Sequence, residues 1–329
     1  SEADRHLDDL SVQTINANLT ATLDITKAQR LPENTGIAFQ GPVKVGAFDI
    51  DPEQALAMLS APINPNGRPN SDVITPWVNG MDIIRRPRMM HIIDFGTRTL
   101  NESALYELPF EYVREHIKPV RELNRDRQRR TFWWRLGRSG EDLRSAVEPL
   151  RRFIVTPRVA TYRLFTWVDA TTLPDSAVVG IARDDDDFFG VLHSRAHEVW
   201  SLRMGTWLGV GNDPRYTPTT CFETFPLPWP PGQEPAGDPR VEAIATAAKH
   251  LDDLRRNWLN PEGATPTDLK KRTLTNLYNT RPTWLTNAHA TLDRAVWSAY
   301  GWPEEEDPAM VEEDVILGRL LALNLERME

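Results

Sequence analysis

Residues 229–240 hold four prolines and two glycines in twelve positions. Proline fixes φ and lacks an amide donor, so neither a helix interior nor a central strand can run through this stretch. It predicts a semi-rigid linker and the sharpest boundary in the chain. Beyond it every segment reads as helical: residues 241–258, 269–278, 284–300 and 308–327. Before it, short β-branched and aromatic runs alternate with helical ones. The expected fold is a mixed α/β (α+β) domain followed by an all-α C-terminal region. The expected boundaries are a connector at 1–34, the mixed domain at 35–230, the linker at 231–240 and the helical region at 241–329.

Within the mixed domain, residues 36–40 and 43–50 read as strands joined at Gly41-Pro42. Asp51-Pro52-Glu53 starts a helix with proline at its first position. Strands are expected at 73–78 and 89–95, and a helix at 101–127 interrupted at Pro109 and Pro119. Ser139 stands where it would cap a helix running to Val147. Three strands should follow, at 152–159, 162–168 and 176–182. Residues 185–204 read as one amphipathic helix, with Phe188, Val191, Leu192, Val199 and Leu202 at helical spacing. Residues 205–218 read as loop and 221–225 as a last strand.

The 329 residues carry a net charge of −9, which argues against a nucleic-acid binder when averaged over the chain. The average hides an asymmetry. Residues 114–158 hold 13 Lys/Arg against 6 Asp/Glu, whereas residues 241–329 hold 10 against 15. Cys221 is the only cysteine, which excludes an internal disulfide and a Cys-rich metal site. No apolar run approaches the ~18 residues of a membrane span. No basic-then-apolar stretch opens the sequence, so a secretory signal is expected to be absent or already removed. A cytoplasmic protein with no membrane partner is expected.

In the basic stretch Arg114, Lys118, Arg121, Arg125 and Arg129 recur at three- or four-residue steps, with Arg127 and Arg130 beside them. Phe132, Trp133, Trp134, Arg135 and Arg138 follow. Arginines pair with phosphates through bidentate bonds, and aromatics stack on bases or simply pack. The same row is also what a solvated helix face carries. Asn212-Asp213-Pro214-Arg215 holds groups that read base edges, Arg for guanine, Asn for adenine and Asp for cytosine. It is also a turn composition. Arg158 closes a predicted strand.

Rival chemistries are thin. Gly209-Val210-Gly211 is the only G-x-G and follows a predicted helix, so it is not a nucleotide loop. His193 and His197 stand at i and i+4, as a zinc pair would, which suggests a metal-dependent hydrolase as the alternative. The acids Asp184–Asp187 suit the start of a helix better than a cation site, with Asp185 placed to cap. A third alternative is a protein-interaction module, with the arginine row docking an acidic partner.

Eight strings in order resemble a known family. They are Phe39-Gln40-Gly41, the run from Val73 to Gly80, Ile92-Ile93-Asp94-Phe95-Gly96, Val120-Arg121 after Lys118-Pro119, Trp133-Trp134, the run from Phe153 to Val159, the run from Phe188 to Ser194, and Arg215-Tyr216-Thr217 with Phe222-Glu223-Thr224-Phe225-Pro226. Together they resemble the target-recognition domain of MmeI-like DNA adenine methyltransferases, single-chain restriction–modification enzymes with phage-defence relatives. Leu277-Tyr278-Asn279, Ala288-His289, Leu292-Asp293-Arg294-Ala295-Val296 and Tyr300-Gly301 resemble the C-terminal region of the same enzymes. The arginine row is expected to hold phosphates at Arg121, Arg125, Arg129, Arg130 and Arg135, and the resemblance implies double-stranded DNA as partner. It implies base readout by Arg158, Asn212, Asp213 and Arg215. The family's glycine-rich S-adenosylmethionine loop and Asn-Pro-Pro-Tyr motif do not occur here. The chain is therefore expected to be non-catalytic by itself and to hold no cofactor. An upstream methyltransferase domain of the parent chain would bind S-adenosylmethionine.

Overall fold

The computed structural model describes residues 5–7, 10–12, 23–208 and 213–329. The first strands are β1 (Arg5–Leu7), β2 (Leu10–Val12), β3 (Ala38–Gln40), β4 (Asp49–Ile50), β5 (Ile74–Val78) and β6 (His91–Ile93). Later come β7 (Arg152–Pro157), β8 (Thr166–Asp169), β9 (Leu173–Pro174), β10 (Val178–Ile181), β11 (Thr206–Leu208) and β12 (Asp213–Arg215). The helices before β7 are α1 (Pro52–Leu59), α2 (Gly80–Ile84), α3 (Leu100–Ala104), α4 (Glu107–His116), α5 (Lys118–Glu122), α6 (Arg127–Thr131) and α7 (Glu141–Val147). The helices after β10 are α8 (Asp186–His193), α9 (Arg195–Met204), α10 (Pro239–Leu259), α11 (Pro266–Lys271), α12 (Leu274–Thr280), α13 (Thr283–Ala299) and α14 (Glu313–Glu326). The fold is mixed α/β with a helical C-terminal region.

Two compact units divide the chain. The sheet unit comprises Phe39–Arg158 and Thr166–Ala182. The helical unit comprises the N-terminal residues to Ala38, the short segment Val159–Phe165, and Arg183–Glu329. The chain crosses between them four times, after residues 38, 158, 165 and 182.

The sheet unit holds two four-stranded sheets, ordered β3-β10-β7-β8 and β4-β6-β5-β9. β7 runs antiparallel to both neighbours, with Thr156 opposite Val179 and Phe153 opposite Val168. Its residues 153–157 are all buried, as a strand covered on both faces requires. The second sheet packs an apolar cluster that includes Phe48, Trp77, Ile92, Phe95, Trp133 and Trp134. The start of α1 follows its sequence signal. Asp51 Oδ1 accepts from the Gln54 amide at 2.8 Å, Gln54 closes the capping box, and Pro52 takes the first turn. The helix expected to be capped by Ser139 is capped by Gly140 instead, at φ 71°. A Cβ there would lie 2.9 Å from Pro42 Cγ, so both the conformation and the space select glycine.

In the helical unit α10 packs on α8 and α13, and α14 on α9. Apolar residues on both sides of the proline-rich stretch thus share one unit: Phe188, Val191 and Leu192 before it, Ile244, Ala248, Leu251 and Leu292 after it. The compact units are accordingly not parted at residues 231–240. That stretch leads directly into α10, with Asp238 as cap and Pro239 at the first position. The helix expected over 185–204 is two helices, because Ser194 leaves helical geometry at ψ 155° and its Oγ caps α9 through the His197 amide. The strand expected at 221–225 is replaced by a π-helical turn, Pro218–Phe222.

Candidate functional site

The predicted arginine row is not a helix face. The segment that carries it breaks into α4, α5 and α6, with a turn at Asn124–Asp126 where Asp126 caps α6. Arg121 is 1% exposed. Its Nε donates to the Val45 carbonyl at 2.8 Å, and its Nη2 donates to those of Lys44 at 2.9 Å and Arg135 at 3.1 Å. Burial, with Arg129 nearby, pushes the guanidinium below its ordinary pKa. Arg121 is therefore a buried strut tying α5 to residues 44, 45 and 135, which corrects its expected role as a phosphate contact. Arg135 is similarly engaged. It donates to the Arg98 carbonyl from Nε at 3.0 Å and from Nη2 at 2.7 Å, and lies over the Phe132 and Trp134 rings. Arg130 donates to the Asn124 and Arg125 carbonyls. Arg125 is exposed, and Arg129 is half-buried and pairs with Asp126 at 3.3 Å. Trp133 and Trp134 belong to the core.

What the sheet unit does build is a cleft of about 460 Å³ over this region. Arg121, Arg129, Arg135 and Arg138 line it, with Asp126 the one acid among the lining residues. Thr97, Gln128 and Ser139 add neutral donors. Carbonyls solvate a guanidinium without cancelling its charge, so the lining keeps a formal surplus of three positive charges. Such a cleft suits an anion. Arg138 is its most exposed arginine, held at its backbone by a bridge to Val43. No periodic signal marks Arg138, because it stands in a loop rather than on a helix.

In the helical unit β11 and β12 form an antiparallel ladder pairing Thr206 with Arg215 and Leu208 with Asp213. Asn212, Gly209, Val210 and Gly211 lie outside the described residues. The segment after this G-x-G is a strand, so no helix N-terminus follows it to take a cofactor phosphate or carboxylate. Asp213 and Arg215 stand two apart on β12 and share a face, while Pro214 between them is buried. Val159 bridges Arg215, and Thr161 Oγ1 donates to Asp213 Oδ1 at 3.1 Å. Only glycine fits at 205, where a Cβ would lie 2.8 Å from both the Arg215 and Ser201 carbonyls. Arg158 belongs to the sheet unit, where its Nη1 donates to the Ser176 carbonyl at 3.1 Å.

The histidine pair is structural. His193 Nδ1 donates to the Phe189 carbonyl at 3.1 Å, and its Nε2 accepts from the Phe165 amide at 3.2 Å and Arg255 Nη1 at 2.7 Å. His197 Nδ1 donates to the Leu192 carbonyl at 2.9 Å, and its Nε2 accepts from the Tyr216 hydroxyl at 3.1 Å. All four ring nitrogens are used, and the break at Ser194 removes the common helix face. Burial holds both rings neutral, His193 well below its ordinary pKa and His197 at about 3. The metal-hydrolase alternative loses its ligands. Among the described residues no cluster of three or more His, Cys, Asp or Glu is disposed for a metal. The acids 184–187 act at the start of α8. Asp185 makes no cap bond there and pairs with Arg183 at 2.6 Å instead. Among the described residues no helix is long and apolar enough to cross a membrane.

No family model and no curated protein matches the chain. Among solved structures it is similar to the type IIL restriction–modification enzyme MmeI in complex with DNA, with a TM-score of 0.72 at 18% identity. The likeness covers 97% of this chain and 39% of that one. The fold class is thus that of a large part of MmeI, and the chain spans well under half that enzyme's length.

Proposed function

We propose that this chain is the target-recognition part of a cytoplasmic, site-specific DNA adenine-N6 methyltransferase of the restriction–modification kind. One observation carries the reading: along 97% of its length the chain has the fold of a protein solved on DNA. Its own residues supply the two functions such a part needs. The cleft of the sheet unit takes backbone phosphates, with Arg138 and Arg129 as contacts and Arg125 and Arg130 on the exposed flank. Arg121 and Arg135 lend charge and hold the walls. The β12 face reads bases, Arg215 against guanine and Asp213 against the cytosine amino group, and Asn212, which precedes them in sequence, reads adenine. Arg158 serves the scaffold through Ser176. The chain performs no chemistry alone. A methyltransferase domain of the parent chain would hold S-adenosylmethionine and draw the target adenine from the stack.

The test is fluorescence anisotropy with a randomised duplex across salt concentrations, followed by site selection. Affinity should fall linearly in log–log form. Arg138→Ala should lower that slope by about 1 on every sequence, and Arg215→Ala should cost about 1–3 kcal/mol at one base pair and relax it. Equal losses from both variants on all sequences would overturn the division of roles. No binding with the methyltransferase domain restored would overturn the reading itself.

A further inference from the structure

The segment Val159–Phe165 leaves the sheet unit, joins the helical unit for seven residues, and returns. Its Val159 and Thr161 face Arg215 and Asp213. These pairs keep one antiparallel register, so the segment runs along the edge of β12 that β11 does not use. Arg163, 7% exposed, donates from Nη2 to the Pro214 carbonyl at 3.1 Å and lies 4.9 Å from the centre of the Tyr216 ring. One short segment thus grips every residue from 213 to 216.

The segment is itself gripped from the helices. The Phe165 amide donates to His193 Nε2, and the Phe165 carbonyl accepts from Arg255 Nη2 at 2.8 Å. Arg255, 2% exposed on α10, also holds His193. On the far side Tyr216 is tied to His197 of α9. We propose that Val159–Phe165 is a brace that sets the position of the β12 face, with Arg163 as its positioning residue and Arg255 as its anchor. The physical reason is directional. Apolar packing tolerates a slide of a few tenths of an ångström, whereas buried hydrogen bonds from a rigid guanidinium to a carbonyl or an imidazole hold in one geometry. Readers of base edges need that geometry, because hydrogen bonds weaken steeply when misaligned. On this view the helical unit fixes the aim of the recognition strand.

The inference rests on the proposed reading of DNA by β12, and its test separates the two. Hydrogen exchange on the chain without DNA measures the brace. Site selection from random duplexes measures the aim. Arg163→Met should speed exchange at the Arg215 and Tyr216 amides and flatten base preference at the Asp213 and Arg215 positions by about tenfold. Arg163→Lys keeps the cation over Tyr216 but loses the planar guanidinium that bonds Pro214, and should fall between. It carries the same readouts if the methionine variant does not fold. Unchanged exchange in a folded variant would overturn the brace. Faster exchange with undiminished preference would overturn its positioning role. Failure of the DNA reading shows on the wild-type chain alone, as no preference for any sequence, and would overturn the role in recognition while leaving the exchange result to stand.

Discussion

The two compact units solve the problem of a core differently. In the sheet unit the largest cluster is aromatic, Phe95 against Tyr106 and Phe110, Phe110 against Trp133, Trp133 against Trp134, while Asn64, Asn70, Asp82 and Asp94 are buried as well. Arg121 is its one buried arginine, solvated by three carbonyls. In the helical unit apolar helices also pack, but polar atoms thread between them. Arg163, Arg255, His193 and His197 are buried there, as are Asn34 and Asn324. Asn324 alone donates to the Gln29 and Thr224 carbonyls and accepts from the Gln29 amide, each at 2.8 Å. An apolar interior mainly stabilises. Directed buried hydrogen bonds mainly select one arrangement, because any other breaks them. The unit that buries Arg163, Arg255 and the two histidines is also the one that carries β12.

The contrast breaks first on stability. Phe95→Ala should cost about 3–5 kcal/mol in chemical denaturation, as large-to-small changes in an apolar core do. A cost below about 1 kcal/mol would mean that the sheet unit is not held by this cluster. Arg255→Met should cost less, about 1–3 kcal/mol, by leaving the Phe165 carbonyl unsatisfied. Hydrogen exchange should place that loss in the helical unit. Protection lost equally in both units would erase the contrast.

The contrast also shows in pH. In the helical unit burial holds His197 and His289 at about 3 and His193 well below its ordinary value. Their unfolded forms take up protons near pH 6.5, so this stability is present above about 6.5 and lost as pH falls. Asp293 runs the other way. Burial pushes it to about 7 against the pull of the Arg195 amide it accepts from. Its stability is full below about 4 and lost as pH rises through 7. Asp293→Asn keeps the acceptor and removes the titration. Melting curves of variant and wild type should therefore diverge in the variant's favour from about pH 4 to 7 and run parallel above. Parallel curves throughout would show that Asp293 is not held protonated.

Local signals were legible in proportion to how local their physics is. The cap at Asp51, the proline before α10 and the long helices α10 and α13 follow from neighbours within one turn. Ser194 was hidden because the apolar residues on either side keep helical period across the break; only its own hydroxyl ends α8. Arg121 was misread for a related reason. Its four-residue spacing from Arg125 and Lys118's place before it imitate a helix face, while its carbonyl partners at 44 and 45 are remote in sequence. Asp213 and Arg215 were not legible as a strand, because their partners lie at 159–161 and 206–208. The resemblance to MmeI-like enzymes pointed to the fold that the chain shares with MmeI. It did not show that the helices on both sides of the proline-rich stretch close into one unit.

The four crossings between units bear on how such a chain can be remodelled. Each unit is assembled from separate stretches of sequence, so no single cut or splice exchanges one unit for another. A transplant of residues 206–216 alone would move the side chains proposed to read bases and leave behind the seven residues that hold them. Exchange of specificity between relatives would have to carry both stretches in register, as a split insert. Inheritance in one block is not available to a surface woven this way, and its divergence should proceed by paired changes about fifty residues apart.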